Sequence, residues 1–157
     1  MKKYTPSAAR ASLESLINRM GKNLASYRVI YGDTDKMGVV YYANYLRWLE
    51  MGRTELMRQI GIPYSAIEET GLFFPVIEVS CRYLKPARFD DEIIIETTLT
   101  ALSRVTFDFS YKIFRKNAGQ LLIKGWTRHA CVDREGKATK ISPALENVLK
   151  TALSPNK

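Results

Sequence analysis

YGDTDKMGVVYYANYLRWLE, residues 31–50, places two carboxylates, a glycine turn, a short apolar run and the start of an amphipathic helix side by side. Asp33 and Asp35 follow an apolar strand-like run and precede Gly38, so they fall at a chain reversal. Loops held by rigid neighbours are where reactive groups tend to sit. Beyond Gly38, Val39-Val40-Tyr41-Tyr42 is too apolar for an ordinary exposed loop. Asn44 then offers an N-cap for a helix over 45–60, where Tyr45, Trp48, Leu49, Gly52, Leu56 and Ile60 recur at three- and four-residue spacing and form one buried face. Gly61 and Pro63 stop it.

Working outward, Tyr27, Val29 and Tyr31 alternate around Arg28 in a strand expected over 24–31. Before it, Thr5-Pro6 opens and Gly21 closes a segment with Leu13, Leu16, Ile17 and Met20 on one stripe. Residues 1–22 are therefore expected to be a helical extension, and 23–157 one domain. Downstream, 64–72 reads as an irregular or short helical connection. Residues 74–84 read as a strand with Ile77, Val79, Cys81 and Tyr83 on one face, broken by Lys85-Pro86-Ala87-Arg88. Alternation then predicts strands over 92–102, 105–114 and 121–132, a short edge segment over 138–141, and a terminal helix starting at Ser142-Pro143. One long apolar helix against an antiparallel sheet is the simplest α+β arrangement of these elements.

The string D-x-D-x-x-G-V-V-Y, followed by N-Y and a helix bearing Glu50 and Arg53, resembles the signature of the 4-hydroxybenzoyl-CoA thioesterase and YbgC-type acyl-CoA thioesterases. A weaker likeness extends from about Tyr27 to about Val132 and takes in CRYLKPARFDDEIIIET. The resemblance implies the hotdog fold: a long central helix wrapped by a curved antiparallel sheet of five to six strands, here with added N-terminal and C-terminal helices. It also implies a homodimer or homotetramer. Many YbgC-type members carry histidine where Tyr42 stands, whereas the 4-hydroxybenzoyl-CoA branch carries tyrosine and a similar N-Y-x-R-W-L run. This leans towards a bulky or aromatic acyl group.

A thioester is opened by polarising its carbonyl while water or an enzyme nucleophile attacks. A carboxylate can act as general base or attack directly, and aspartate is ionised at neutral pH without help from histidine. The resemblance makes Asp35 the catalytic carboxylate and the backbone N–H of Tyr42 the oxyanion donor, with Gly38 supplying the turn that presents Asp35. Tyr41 and Asn44 beside them are candidate substrate contacts. Asp33 reads as a turn or capping residue, and Glu50 with Arg53 as a structural pair on one helix face.

The chain carries a formal net charge of +8, which suits a polyanionic partner. No nucleic-acid-binding motif accompanies it; a phosphorylated carrier such as coenzyme A would use the same kind of surface on a smaller scale, with Lys85, Arg88, Arg104 and Arg115 as candidate contacts, and a solvated basic surface with no particular partner stays open beside it. No metal or other cofactor is expected: Cys81 and Cys131 are two isolated thiols that read as buried small residues, and His129 is the one histidine. No run nears the roughly 18 apolar residues of a membrane span. The first fifteen residues lack the apolar core of a secretory signal, so a cytoplasmic location is expected. Hydrolysis of an acyl-CoA leads; an acyl-carrier-protein thioesterase and a non-catalytic acyl-CoA binding module stay open as alternatives.

Overall fold

A computed structural model describes residues 21–153, and the helical extension expected before Lys22 lies outside them. In chain order the elements are β1 (Lys22–Arg28), α1 (Asn44–Gln59), α2 (Tyr64–Glu69), β2 (Val76–Tyr83), β3 (Glu92–Leu102), β4 (Thr106–Arg115), β5 (Gln120–Ala130) and α3 (Pro143–Ala152). The strands form one curved antiparallel sheet in the order β1-β3-β4-β5-β2. The long helix α1 lies against β1 and β3 and reaches β4. This is the hotdog arrangement.

The periodicities place the core where they should. Ile93, Ile95, Thr97 and Leu99 of β3 are buried, as are Phe107, Phe109, Tyr111 and Ile113 of β4. Tyr45, Trp48, Leu49, Gly52 and Leu56 form the covered face of α1, together with Met57. Ser142 caps α3 through its side chain, with Pro143 in the first turn. Cys131 is buried and Cys81 half-buried, both as free thiols.

Four details depart from the sequence reading. β1 ends at Arg28 because a 3-10 turn, Tyr31–Asp33, takes the chain out of the sheet three residues early. Asn44 is the first residue of α1 and not its cap; Ala43 precedes it with no capping side chain, because the Asn44 amide donates to the Asp33 carbonyl at 2.8 Å. The 138–141 segment pairs only through a single bridge from Val132 to Ala138, so the sheet has five strands. Finally, the apolar face of β2 is open: Ile77 is 55% and Val79 47% exposed. β2 is the last strand of the sheet, beyond the part that α1 covers.

Two features hold the helix and sheet at a set distance and composition. A Cβ on Gly52 would collide with Thr97 Oγ1 and lie 2.8 Å from Ile95 Cγ2, so the glycine is where α1 comes closest to β3. Inside the sheet, Tyr111 and Thr127 share a hydrogen bond of 2.8 Å, Thr127 and His129 Nε2 one of 2.9 Å, and His129 Nδ1 lies 3.1 Å from the Phe74 carbonyl. The carbonyl can only accept, so Nδ1 carries the proton and Nε2 accepts. Each of these buried polar groups is satisfied with the imidazole neutral.

Gly52→Ala should lose about 1–3 kcal/mol in denaturant unfolding, because overpacking outweighs the roughly 1 kcal/mol by which alanine favours a helix interior; unchanged stability would mean that α1 can lift off the sheet freely. Burial, above all, pushes His129 down to about 4. The unfolded chain then binds its proton first, near pH 6.5, so stability is complete above that pH and is lost as pH falls towards 4. At roughly 1.4 kcal/mol per unit the loss is about 3 kcal/mol. Urea midpoints across this window should show it, and Asn at position 129 should remove this contribution.

Candidate active site

Asp33 builds the entrance to the site. Its carboxylate, 3% exposed, accepts the Tyr27 hydroxyl at 2.8 Å and the Ile30 N–H at 3.1 Å through the same oxygen. Its backbone carbonyl accepts the Tyr41 N–H and the Asn44 side-chain amide, both at 2.8 Å. One residue thus ties the end of β1 to the start of α1, which is the structural part read for it from sequence.

Asp35 lies two residues on, half-buried in a tight reversal. Its N–H donates to the Val39 carbonyl, and the Gly38 N–H returns to the Asp35 carbonyl, each at 2.9 Å. Gly38 has φ +72, the left-handed conformation that this reversal needs and that a side chain would oppose. Asp35 Oδ1 accepts the Met37 N–H at 2.8 Å. Oδ2 has no hydrogen-bond partner among the described residues. One carboxylate oxygen is therefore anchored, and the other is unpaired among the described residues.

Tyr42 stands just ahead of α1. Among the described residues its N–H donates to no acceptor, while its neighbours are committed: Tyr41 N–H to Asp33, and Asn44 N–H to the Tyr41 carbonyl at 2.9 Å. A trans peptide is planar, so the bond to the Tyr41 carbonyl restrains the direction of the Tyr42 N–H from one side. Sixteen residues of helix behind it add positive potential at this end.

Asp35 and Tyr42 line one cavity of about 300 Å³, near the lower end of the range for small-molecule sites. Val39, Val40, Leu84 and Pro86 supply apolar walls, Tyr45 and Tyr83 aromatic ones, and Lys85 a cation. The 85–88 loop is pinned over the site from several sides. The Ala87 N–H donates to the buried Tyr45 hydroxyl, the Val40 N–H to the Ala87 carbonyl, and Arg115 to the Pro86 carbonyl and the Asp91 carboxylate.

The basic candidates separate accordingly. Lys85 lines the cavity, and Arg88 reaches the Gly38 carbonyl at 3.4 Å from an exposed position. Arg115 is engaged as a brace, at 3.0 Å from Asp91 with Gln120 on its other nitrogen. Arg104 lies in the turn after β3, at the opposite end of an eleven-residue strand from the β1–β3 end that leads to Asp35; within one protomer it is about 30 Å away at strand rise. Tyr41 is 45% exposed and does not line the cavity, and the Asn44 side chain is bonded to the Asp33 carbonyl. Glu50 and Arg53 pair at 3.9 Å on α1. Sequence reasoning missed Tyr45 and Tyr83 as parts of the site. Both sit on apolar faces, and periodicity assigns such residues to the core without saying which cavity they border.

Among the described residues no three His, Cys, Asp or Glu side chains converge as a metal site, and no helix is long and apolar enough to cross a membrane.

Comparison with known proteins places the chain in a family. The chain is 38% identical over 107 residues to the putative acyl-CoA thioesterase YneP of Bacillus subtilis, covering 68% of this chain and 77% of that one. It is 36% identical over 107 residues to the acyl-CoA thioesterase YbgC of Haemophilus influenzae, with the same coverage. The crystal structure of the hypothetical protein TT1821 from Thermus thermophilus superposes with a TM-score of 0.80 at 33% identity, covering 85% of this chain and 99% of that one. The pattern of the thioesterase-like superfamily matches residues 29–150, from the end of β1 into α3, and the chain belongs to that superfamily.

Proposed function

We propose that the protein hydrolyses acyl-CoA thioesters to the free acid and coenzyme A, with Asp35 as the reacting carboxylate and the Tyr42 N–H as the oxyanion donor. The observation that carries this reading is the meeting, in one cavity, of a carboxylate oxygen and a backbone N–H that have no hydrogen-bond partner among the described residues. The thioester oxygen takes the N–H, which stabilises the charge that develops as the carbonyl carbon becomes tetrahedral.

Asp35 Oδ2 either attacks that carbon or takes a proton from a water that does so. In the first case the C–S bond breaks as a mixed anhydride forms, and water then cleaves the anhydride to release the acid and regenerate the carboxylate. In the second, water supplies the new C–O bond directly. In both the thiolate of coenzyme A leaves and is protonated from solvent. Single turnover in ¹⁸O water separates the two, since only the anhydride route puts label into Asp35.

Lys85 and Arg88 would meet the phosphates of coenzyme A by charge-assisted contacts, whereas Arg115 serves the loop. The aromatic walls favour an aromatic or medium acyl group over a long chain. The net positive charge also favours acidic carrier proteins as donors of the same phosphopantetheine thioester, so an acyl-carrier-protein substrate belongs in the assay. Asp35→Asn should lower thiol release from the best acyl-CoA at least about a hundredfold, as loss of a base or nucleophile does. Full activity in the variant, or binding of acyl-CoA by the native protein without turnover, would refute the assignment.

The open edge of β2 supports pairing of two protomers. Among the described residues β2 ends the sheet with one side of its backbone unpaired, and it exposes Val76, Ile77 and Val79 at 42%, 55% and 47%. A second β2 laid antiparallel would continue the ladder and cover them. Light scattering should find a dimer or a dimer of dimers. Val79→Lys should shift it towards monomer, and an unshifted mass would place the interface elsewhere.

A further inference from the structure

Tyr83 closes β2, and its hydroxyl donates to the backbone carbonyl of Tyr42 at 3.0 Å. No other donor reaches that carbonyl among the described residues. The ring stands edge-on to Tyr42, with centroids 6.4 Å apart and planes at 90°, and edge-on to Tyr45 at 5.4 Å and 74°. Tyr83 therefore spans from the edge strand of the sheet to the turn that begins α1, at the wall of the Asp35 cavity.

Tyr42 is in effect held at both of its peptides. The Asn44 N–H fixes the peptide before it through the Tyr41 carbonyl, and Tyr83 fixes the peptide after it through the Tyr42 carbonyl. Two fixed peptide planes leave the residue between them one backbone conformation. Tyr42 is outside α1, so helical hydrogen bonding does not supply the second constraint.

We propose that Tyr83 is a positioning residue for the reaction: its hydroxyl holds the Tyr42 carbonyl so that the Tyr42 N–H stays aimed at the thioester oxygen. This rests on the reading of that N–H as the oxyanion donor. It makes the edge strand part of the catalytic apparatus without Tyr83 touching the reacting atoms. Burial, above all, raises the hydroxyl to about 12, so it keeps its proton and remains a donor throughout the neutral range.

Tyr83→Phe keeps the ring on the cavity wall and removes only the donor. kcat should fall about tenfold, a fraction of the 10²- to 10³-fold typical of losing an oxyanion donor outright, while KM stays within about twofold and the thermal midpoint stays close to native. The carbonyl stretch of a bound acyl thioester gives a direct reading. In Asp35→Asn it should lie below its value in water, and adding Tyr83→Phe should move it back towards that value. A downshift that survives the second substitution, or a Tyr83→Phe that changes KM alone, overturns the role of Tyr83 and leaves the oxyanion reading intact. No downshift in Asp35→Asn overturns the oxyanion reading itself. A fluorinated tyrosine at position 83 preserves the shape and makes the hydroxyl more acidic. Its kcat should fall as pH rises through the lowered hydroxyl pKa, because a phenolate cannot donate, and a profile parallel to the native one overturns the proposal.

Discussion

The site depends on the acceptor capacity of Asp33. Its carboxylate oxygen takes a phenol from β1 and a backbone N–H from the turn that follows, and its carbonyl takes two donors from the start of α1. Charge-assisted hydrogen bonds of this kind are stronger than neutral ones, and they gain from burial as long as every member is paired. Here the pairing is local in sequence, within eleven residues either way. The turn and the helix start are therefore tied to each other directly, and Asp35 is carried between them. The first aspartate of the D-x-D motif builds the frame, and the second is left with an oxygen to spare.

A similar division runs through the sheet. The apolar strands β3 and β4 are flanked by other strands, and β4 and β5 between them carry the buried Tyr111, Thr127 and His129 series with the imidazole neutral. Burying these groups costs little because each finds a partner, and any change in the imidazole's charge would break the balance. Gly52 sets how closely α1 approaches this layer. Since Tyr42 precedes the same helix, a lifted helix would also displace the amide at its start. Packing near the middle of α1 and the chemistry at its N-terminus are thus mechanically linked.

The edge strand β2 has two neighbourhoods with different demands. Its outer backbone and apolar face are open, while Tyr83 at its end reaches back to the loop before α1. Cys81 and Tyr83 are spaced as in any half-buried strand, yet Tyr83, at the last β2–β5 pair with Ile123, is the one whose hydroxyl reaches the loop before α1. The Lys85-Pro86-Ala87-Arg88 loop that follows is held by Tyr45, Val40 and Arg115. A proline-containing break that also carries the candidate contacts Lys85 and Arg88 is a wall of the cavity, fixed in part by Tyr45 and Val40, which lie 42 and 47 positions from Ala87 in the chain.

The sequence by itself determined the helix that organises the fold, the alternating strands, the D-x-D turn with its glycine, and the family. These are local properties: side-chain periods of 3.6 and 2, backbone freedom at Gly38, and a motif contained in twenty residues. Tertiary structure decided what depends on contacts between distant residues. It tied up Arg115 as a brace, placed Arg104 at the far end of the sheet and brought Tyr45 and Tyr83 to the cavity. Each of these follows from which partner lies within hydrogen-bond reach once the sheet has its order β1-β3-β4-β5-β2. A polar or aromatic side chain advertises its capacity to bond in the sequence, but the partner that satisfies it is chosen only when the chain has folded around it.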